Sequence, residues 1–447
     1  MDNNLSKIIG ANNYIELPIG KFKRVVLLNN AATTPPFEVT LKTANKFLQT
    51  YGALHRGAGP HANITFKKVE EALIIIRKFI NANDNKALLF TQNTSAAINL
   101  FVRLLDLNEN DVVITSAIEH TSNNLPWQYN TKAKIIYANA FDDGSLDYED
   151  LENKVKKFGP NLKVVAITGA SNLTGYIPDL QRISKIAHQV NALLFVDAAQ
   201  LAPHRPIDMQ ETGLDALAFS AHKIYAPFGL GILALPKSIL KKAPVDPGGG
   251  SIDMLNQNNQ VIWASAEARH QTGTWNVLGI IATAASCKTI GNIGWDKILR
   301  HERNLVNYCA RQLSEVPGIR MYVTPEKYIN ENRIGTFTFN LKDYHHALLS
   351  SILENEYGIE TRAGTICNHR LVRRWFDLSE LQQQEVEAKI ANGDRLASYG
   401  IVRASLGIHN SKEDIDVLTE ALKAIANNGS KLKYSPLPSE ETFVCIN

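Results

Sequence analysis

The sequence predicts an α/β protein: a large domain built on a mostly parallel sheet, followed by a smaller C-terminal α+β domain. Two observations carry this reading. From about residue 85 to 235 short apolar runs alternate with helix-like stretches, at 87–90, 112–115, 164–168, 193–196, 216–219 and 231–235. Continuous apolar runs of this length, separated by amphipathic segments, are the mark of strands buried between helices. Then the pattern changes. A Pro/Gly-rich stretch at 244–250 breaks the alternation, and beyond Gly291 come a long amphipathic helix at 295–313, a strand at 336–340 and a helix near 415–426.

These breaks divide the chain into an N-terminal segment, 1–20, packing on the small domain, a large domain, 21–290, a small domain, 291–430, and an extended or disordered tail, 431–447. A chain of 447 residues with 45% hydrophobic and 20% charged residues can bury a large core without disulfides or metals. The formal charge of +3 offers no electrostatic case for nucleic acid or a membrane surface. The N-terminus lacks the apolar core of a signal peptide, and the most apolar stretch, 277–287, is too short to span a bilayer. A cytoplasmic enzyme is the simplest reading. Cys287, Cys309, Cys367 and Cys445 stand far apart, so no zinc site or disulfide framework is implied. Cys287 and Cys309 lie in apolar helical settings and read as buried; Cys445 suggests no role.

Sites in parallel sheets form at the carboxyl ends of the strands, and there the polar residues gather. After the first run, Thr94 and Ser95 sit where a helix begins, as either helix caps or phosphate ligands. The second strand leads into Glu119-His120, the fourth ends at Asp197, and the fifth leads into Ser220-Ala221-His222-Lys223. A carboxylate that keeps a pyridine nitrogen protonated, beside a lysine that forms an imine, is what pyridoxal phosphate (PLP) requires. Each residue also has a plainer reading: Lys223 as a solvated lysine, Asp197 as a helix cap, His120 as a hydrogen-bonded structural histidine.

The segment Ser220-Ala221-His222-Lys223-Ile224-Tyr225-Ala226-Pro227-Phe228-Gly229 resembles the lysine motif of class V aminotransferases, PLP-dependent enzymes of fold type I. Within them the chain is most similar to cysteine desulfurases and selenocysteine lyases. The resemblance runs from about Leu27 to Ala426 and takes in Asn30-Ala31-Ala32-Thr33-Thr34-Pro35, His55-Arg56-Gly57, Glu119-His120, Ser171-Asn172, Val196-Asp197-Ala198-Ala199-Gln200, Gly273-Thr274 and Arg403-Ala404-Ser405-Leu406.

The resemblance implies a role for each matching residue. Lys223 would hold the cofactor as a Schiff base and later move the Cα proton. Asp197 would pair with the ring nitrogen, Gln200 would reach the ring oxygen, and His120 would stack on the ring and act in proton transfer. Thr94, Ser95, Ser220 and His222 would hold the phosphate, and Thr274 would reach that of a second subunit in a homodimer. Asn172 would lie near the ring oxygen and the substrate carboxylate, which Arg403 would clamp; a lone arginine is otherwise most often a surface ion pair.

The reaction is decided by Arg362-Ala363-Gly364-Thr365-Ile366-Cys367, which resembles the Arg-x-Gly-x-x-Cys motif of desulfurases. Cys367 would attack the sulfur of bound L-cysteine, leaving a persulfide for an acceptor protein, and alanine. Thr365 and Ile366 stand where the family commonly has histidines, and Asn368-His369-Arg370 where small residues are usual. A charged helical insert at 378–394 is either a cover over the site or an inert solvated helix. The alternative reading is another PLP reaction on a small amino acid (β-lyase, epimerase or aminotransferase), with Cys367 a packing residue. A third is a relative that has lost its chemistry, against which Lys223, Asp197 and His120 together argue.

Overall fold

The computed structural model describes residues 7–54 and 57–446, so His55 and Arg56 of the matched motifs lie outside the described residues. Its centre is a seven-stranded sheet in the order Lys86–Thr91, Gly231–Pro236, Ala216–Ser220, Leu193–Asp197, Leu162–Thr168, Val112–Ser116, Lys134–Ala138. All six predicted runs are strands of this sheet, and Val112–Ser116 and Ala216–Ser220 are buried throughout. Gly231–Pro236 alone runs antiparallel to its neighbours. The link from Ser220 to Gly231 is too short for a crossover helix, which takes about a dozen residues or more. Lys134–Ala138 escapes the sequence pattern because it is a half-exposed edge strand.

The second sheet is antiparallel, in the order Ile319–Met321, Thr336–Leu341, Ile401–Ser405, Arg362–Gly364. Its core combines Phe337, Phe339 and Val402 with Leu305 and Val306 of the helix Trp295–Ser314, Leu349 and Ile352 of His346–Tyr357, and Leu418 and Leu422 of Lys412–Asn428. Val26 and Leu28 also join this second core, although they precede every strand of the large sheet. The two sheets are stitched together at Gly175, whose carbonyl accepts the Ile334 N–H at 2.8 Å. Buried Arg333 adds bonds to the Asp143 and Thr174 carbonyls.

At the N-terminus Ile8 pairs with Phe37 and packs on the core of the large sheet. The hairpin that follows, Tyr14–Leu17 with Lys21–Arg24, reaches the small domain, where Arg24 pairs with Asp414. The tail forms the hairpin Lys433–Leu437/Thr442–Ile446. Buried Glu356 anchors it by accepting the Lys431 and Leu432 N–H groups and the Tyr434 hydroxyl. That carboxylate is an acceptor no hydrophobic pattern reveals.

The apolar stretch at 277–287 lies in the buried helix Val277–Ile293. No single helix among the described residues is long and apolar enough to cross a membrane. The insert is indeed helical, at Glu380–Ala391, but none of its residues is buried. What packs beside the site is the preceding helix His369–Phe376, through Leu371, Val372 and Trp375.

Candidate active site

Parallel strand direction brings Glu119-His120, Asp197 and Ser220–Lys223 to one edge of the sheet. The helix Thr94–Leu105 begins there too. Its cap is Asn93, whose side chain accepts the Ala96 N–H at 2.9 Å. Thr94 and Ser95 are therefore not needed as caps. The Thr94 N–H donates to Ser220 Oγ at 2.7 Å, and the two hydroxyls meet at 2.6 Å. Ser95 meets the Ser122 hydroxyl at 2.5 Å. Hydroxyls at a free helix N-terminus form an anion cradle. His222 adds its imidazole nearby, with Nδ1 3.1 Å from Thr33 Oγ1; burial and the Lys223 charge hold it neutral, down to about 4.

Lys223 makes no hydrogen bond or ion pair among the described residues. Burial brings its amine down to about 8, with Arg403 lowering it further and Asp197 opposing. The Asp197 carboxylate is buried and, among the described residues, accepts only the Ala199 N–H, at 3.0 Å. Burial pushes its pKa up and the Lys223 charge opposes, so Asp197 is a carboxylate short of a cation. Gln200 Nε2 donates to the Ala31 carbonyl at 2.7 Å, while its Oε1 is buried without a partner among the described residues.

His120 accepts the Ser122 N–H on Nδ1 at 3.1 Å, which puts its own proton on Nε2. It thus does have the structural bond of the plainer reading, with the other nitrogen left for the site. Burial first, then Lys223, Arg403 and His369, hold it down to about 3. It stands on Glu119, a buried carboxyl that accepts from Ser116 Oγ at 2.5 Å, Asn123 Nδ2 at 2.7 Å and the Thr168 N–H at 3.0 Å. Burial raises Glu119 to about 8 against those donors.

Arg403 is not a surface ion pair. It is 2% exposed, and it donates to the Asn172 carbonyl at 3.2 Å and Asn29 Oδ1 at 3.1 Å. Its Nε has no partner, and no carboxylate neutralises it among the described residues. Burial, then Arg362, bring it down to about 9. The Asn172 side chain turns the other way and donates to the Ile366 carbonyl at 2.9 Å. Asn172 thereby joins Arg403 to the loop of Cys367, the one exposed cysteine; Cys287 and Cys309 are buried as expected, and Cys445 is intermediate.

Thr274 is the predicted site residue this chain does not bring to the others: it is exposed and makes no bond with them. Sequence reasoning missed Asn29, Ser122 and the supporting role of Glu119. Asn29 and Ser122 lie within two residues of a matched motif residue and Glu119 stands in one, and that nearness was the signal available.

Residues 26–418 match the family model described as Aminotransferase class-V. The chain belongs to this family of PLP-dependent enzymes. It is similar to a probable cysteine desulfurase of Halalkalibacterium halodurans, 33% identical over 407 residues, which are 89% of this chain and 92% of that protein. One from Staphylococcus aureus is 32% identical over 409 residues, 90% and 92% of the two chains. Among solved structures, the apo cysteine desulfurase of Thermococcus onnurineus superposes with a TM-score of 0.78 at 27% identity, covering 90% of this chain and 94% of that one. A cysteine desulfurase of Escherichia coli with an S-sulfonic acid gives 0.73 at 27% identity, covering 89% and 94%.

Proposed function

We propose that this chain is a PLP-dependent cysteine desulfurase that takes the sulfur of L-cysteine onto Cys367 and releases L-alanine. The observation that carries the reading is the link through Asn172 between Arg403, a buried guanidinium without an anion, and the loop that displays Cys367.

The residues present fit the cofactor. A carboxylate short of a cation, a partner-free lysine, a helix N-terminus lined by hydroxyls and the orphaned Gln200 Oε1 each answer one part of it. When bound, pyridoxal phosphate supplies an electron sink at the substrate Cα, which weakens the Cβ–Sγ bond. Thr94, Ser95, Ser220 and His222 would hold the phosphate, Asp197 would pair with the ring nitrogen, and Gln200 would serve the ring oxygen. Lys223 would hold the cofactor and, with its amine brought down to about 8, would move the Cα proton. His120, neutral and fixed by Ser122, would stack on the ring, with its Nε2–H free to take part in proton transfer.

Arg403 clamps the substrate carboxylate beside Asn172. The Cys367 thiolate attacks the substrate sulfur. The S–S bond forms as the C–S bond breaks with its electron pair left on the carbon side, and protons delivered to Cβ and back to Cα complete alanine. Thr274 is read as reaching the phosphate site of a second copy, which makes a cytoplasmic homodimer the working form. An acceptor protein then removes the persulfide sulfur.

Mass spectrometry of the Cys367 peptide after one turnover with L-cysteine tests this. The expected result is one added sulfur atom, removed by a reducing thiol. An unmodified Cys367 alongside released sulfide and pyruvate would mean β-elimination instead.

A further inference from the structure

Cys367 sits in a tight turn in which the Asn368 N–H donates to the Thr365 carbonyl at 3.0 Å. Three bonds tie the turn to the large domain: Asn172 Nδ2 to the Ile366 carbonyl at 2.9 Å, the Thr121 N–H to the Cys367 carbonyl at 2.8 Å, and Asn368 Nδ2 to the Ile118 carbonyl at 2.7 Å. The strand that leads into the turn, Arg362–Gly364, is met by another part of the chain. That part is the C-terminal hairpin, which lies beyond the family match. The hairpin is seated at the start of the helix His346–Tyr357, with the Phe443 ring 5.8 Å from that of His345, centroid to centroid. The same place holds the end of the insert. His345 Nε2 donates to the Leu396 carbonyl and His346 Nε2 to the Ser398 carbonyl, both at 3.1 Å.

At the tip of the hairpin Glu441 takes left-handed backbone, at φ of 53°, a conformation that glycine adopts at less cost. A carboxyl side chain stands there instead, partly buried. Its Oε2 lies 3.9 Å from Arg395 Nη2, where the insert ends. Its Oε1 lies over Gly364, so close that a Cβ on that glycine would meet it at 2.9 Å. The other cation acting on this carboxylate is Arg362. Arg362 stands directly opposite Arg403 in the strand register, and like charges so placed destabilise a strand pair. Burial first, and then the Arg362 charge, bring Arg403 down to about 9. A carboxylate beside Arg362 offsets that opposition.

We propose that Glu441 is a positioning residue for Cys367: its carboxylate fastens the strand Arg362–Gly364 to the end of the insert and offsets the Arg362 charge beside the Arg403 clamp. This rests on the desulfurase reading of Cys367. Glu441 acts through the strand, at a glycine three residues before the cysteine, and not on the reacting atoms.

The test compares Glu441→Gln with Glu441→Asp in the full-length, cofactor-loaded protein. With L-cysteine, Glu441→Gln is expected to lower kcat for alanine about threefold to fivefold, the scale of a partly exposed ion pair, with KM not raised. Glu441→Asp keeps the charge and is expected to recover most of that loss. Amide hydrogen exchange adds a readout that needs no turnover. The Thr121 and Asn368 N–H groups, which close on the Cys367 turn, are expected to exchange about threefold to fivefold faster in Glu441→Gln. The Lys431 and Leu432 N–H groups, held by Glu356, are expected to keep their rates, which shows the hairpin still docked. Unchanged exchange at Thr121 and Asn368 would overturn the proposal. So would a loss of kcat that Glu441→Asp does not restore, or a rise in KM with kcat intact. Faster exchange in Glu441→Gln, in a protein whose wild type forms no alanine, would instead overturn the desulfurase reading and leave the tether standing.

Discussion

The backbone N–H of Thr121 donates to the carbonyl oxygen of Cys367 at 2.8 Å. That bond joins the segment carrying His120 to the loop carrying Cys367, although the residues lie far apart in sequence. With the Asn172 and Asn368 bonds it explains how an exposed cysteine is displayed in one fixed conformation.

Asn172→Ala tests the tether. Only the side chain reaches the Ile366 carbonyl, while Arg403 bonds the backbone carbonyl, which the variant keeps. A lost hydrogen bond with a stranded acceptor costs about 1–3 kcal/mol. Steady-state alanine formation is expected to fall about tenfold to a hundredfold in kcat, with thermal unfolding little changed.

Arg403→Lys tests the clamp. An ammonium cannot reproduce the planar fork that meets both Asn29 and Asn172 and still presents donors to a carboxylate. The expected loss in kcat/KM is on the order of a hundredfold, in keeping with about 2–5 kcal/mol for one partner of a buried charged contact.

Lys223 sets a pH dependence of cofactor capture. Only the neutral amine attacks the aldehyde, and burial brings that amine down to about 8. Stopped-flow absorbance is expected to show the rate of pyridoxal phosphate capture by apoprotein rising through pH about 8 and levelling above it. A rate still climbing toward the ordinary lysine range would contradict the depressed amine.

Trp375→Ala tests the strut beside the cysteine loop. The Trp375 indole donates to the Asp142 carbonyl at 2.7 Å and stacks on Tyr322 with ring centroids 4.5 Å apart, so it spans both sheets. Truncating a buried aromatic of this size costs about 3–5 kcal/mol. Thermal unfolding is expected to drop accordingly, and Cys367 to lose turnover beyond what Asn172→Ala causes.

Much of the large sheet was legible because its strands are buried on both faces and read as unbroken apolar runs. Lys134–Ala138 was not, since a half-exposed edge strand carries no such run. The strand-end residues could be named, yet what separates Thr94 from a helix cap is the Asn93 side chain, and that choice depends on local geometry. The helix His369–Phe376 hid for a different reason. It drew no reading in the sequence, because Leu371, Val372 and Trp375 find their partners on Ile118, Ala140 and Ile401, far away in sequence. The tail hairpin is anchored by the buried carboxylate of Glu356, a long-range acceptor that no local pattern announces.

The most direct measurement is alanine and sulfide release from L-cysteine by the purified, cofactor-loaded protein with a reducing thiol, run beside Cys367→Ser. Alanine and sulfide are expected in equal amounts, both lost in Cys367→Ser while the bound cofactor keeps its absorbance. Turnover that survives the loss of Cys367, or pyruvate in place of alanine, would contradict it.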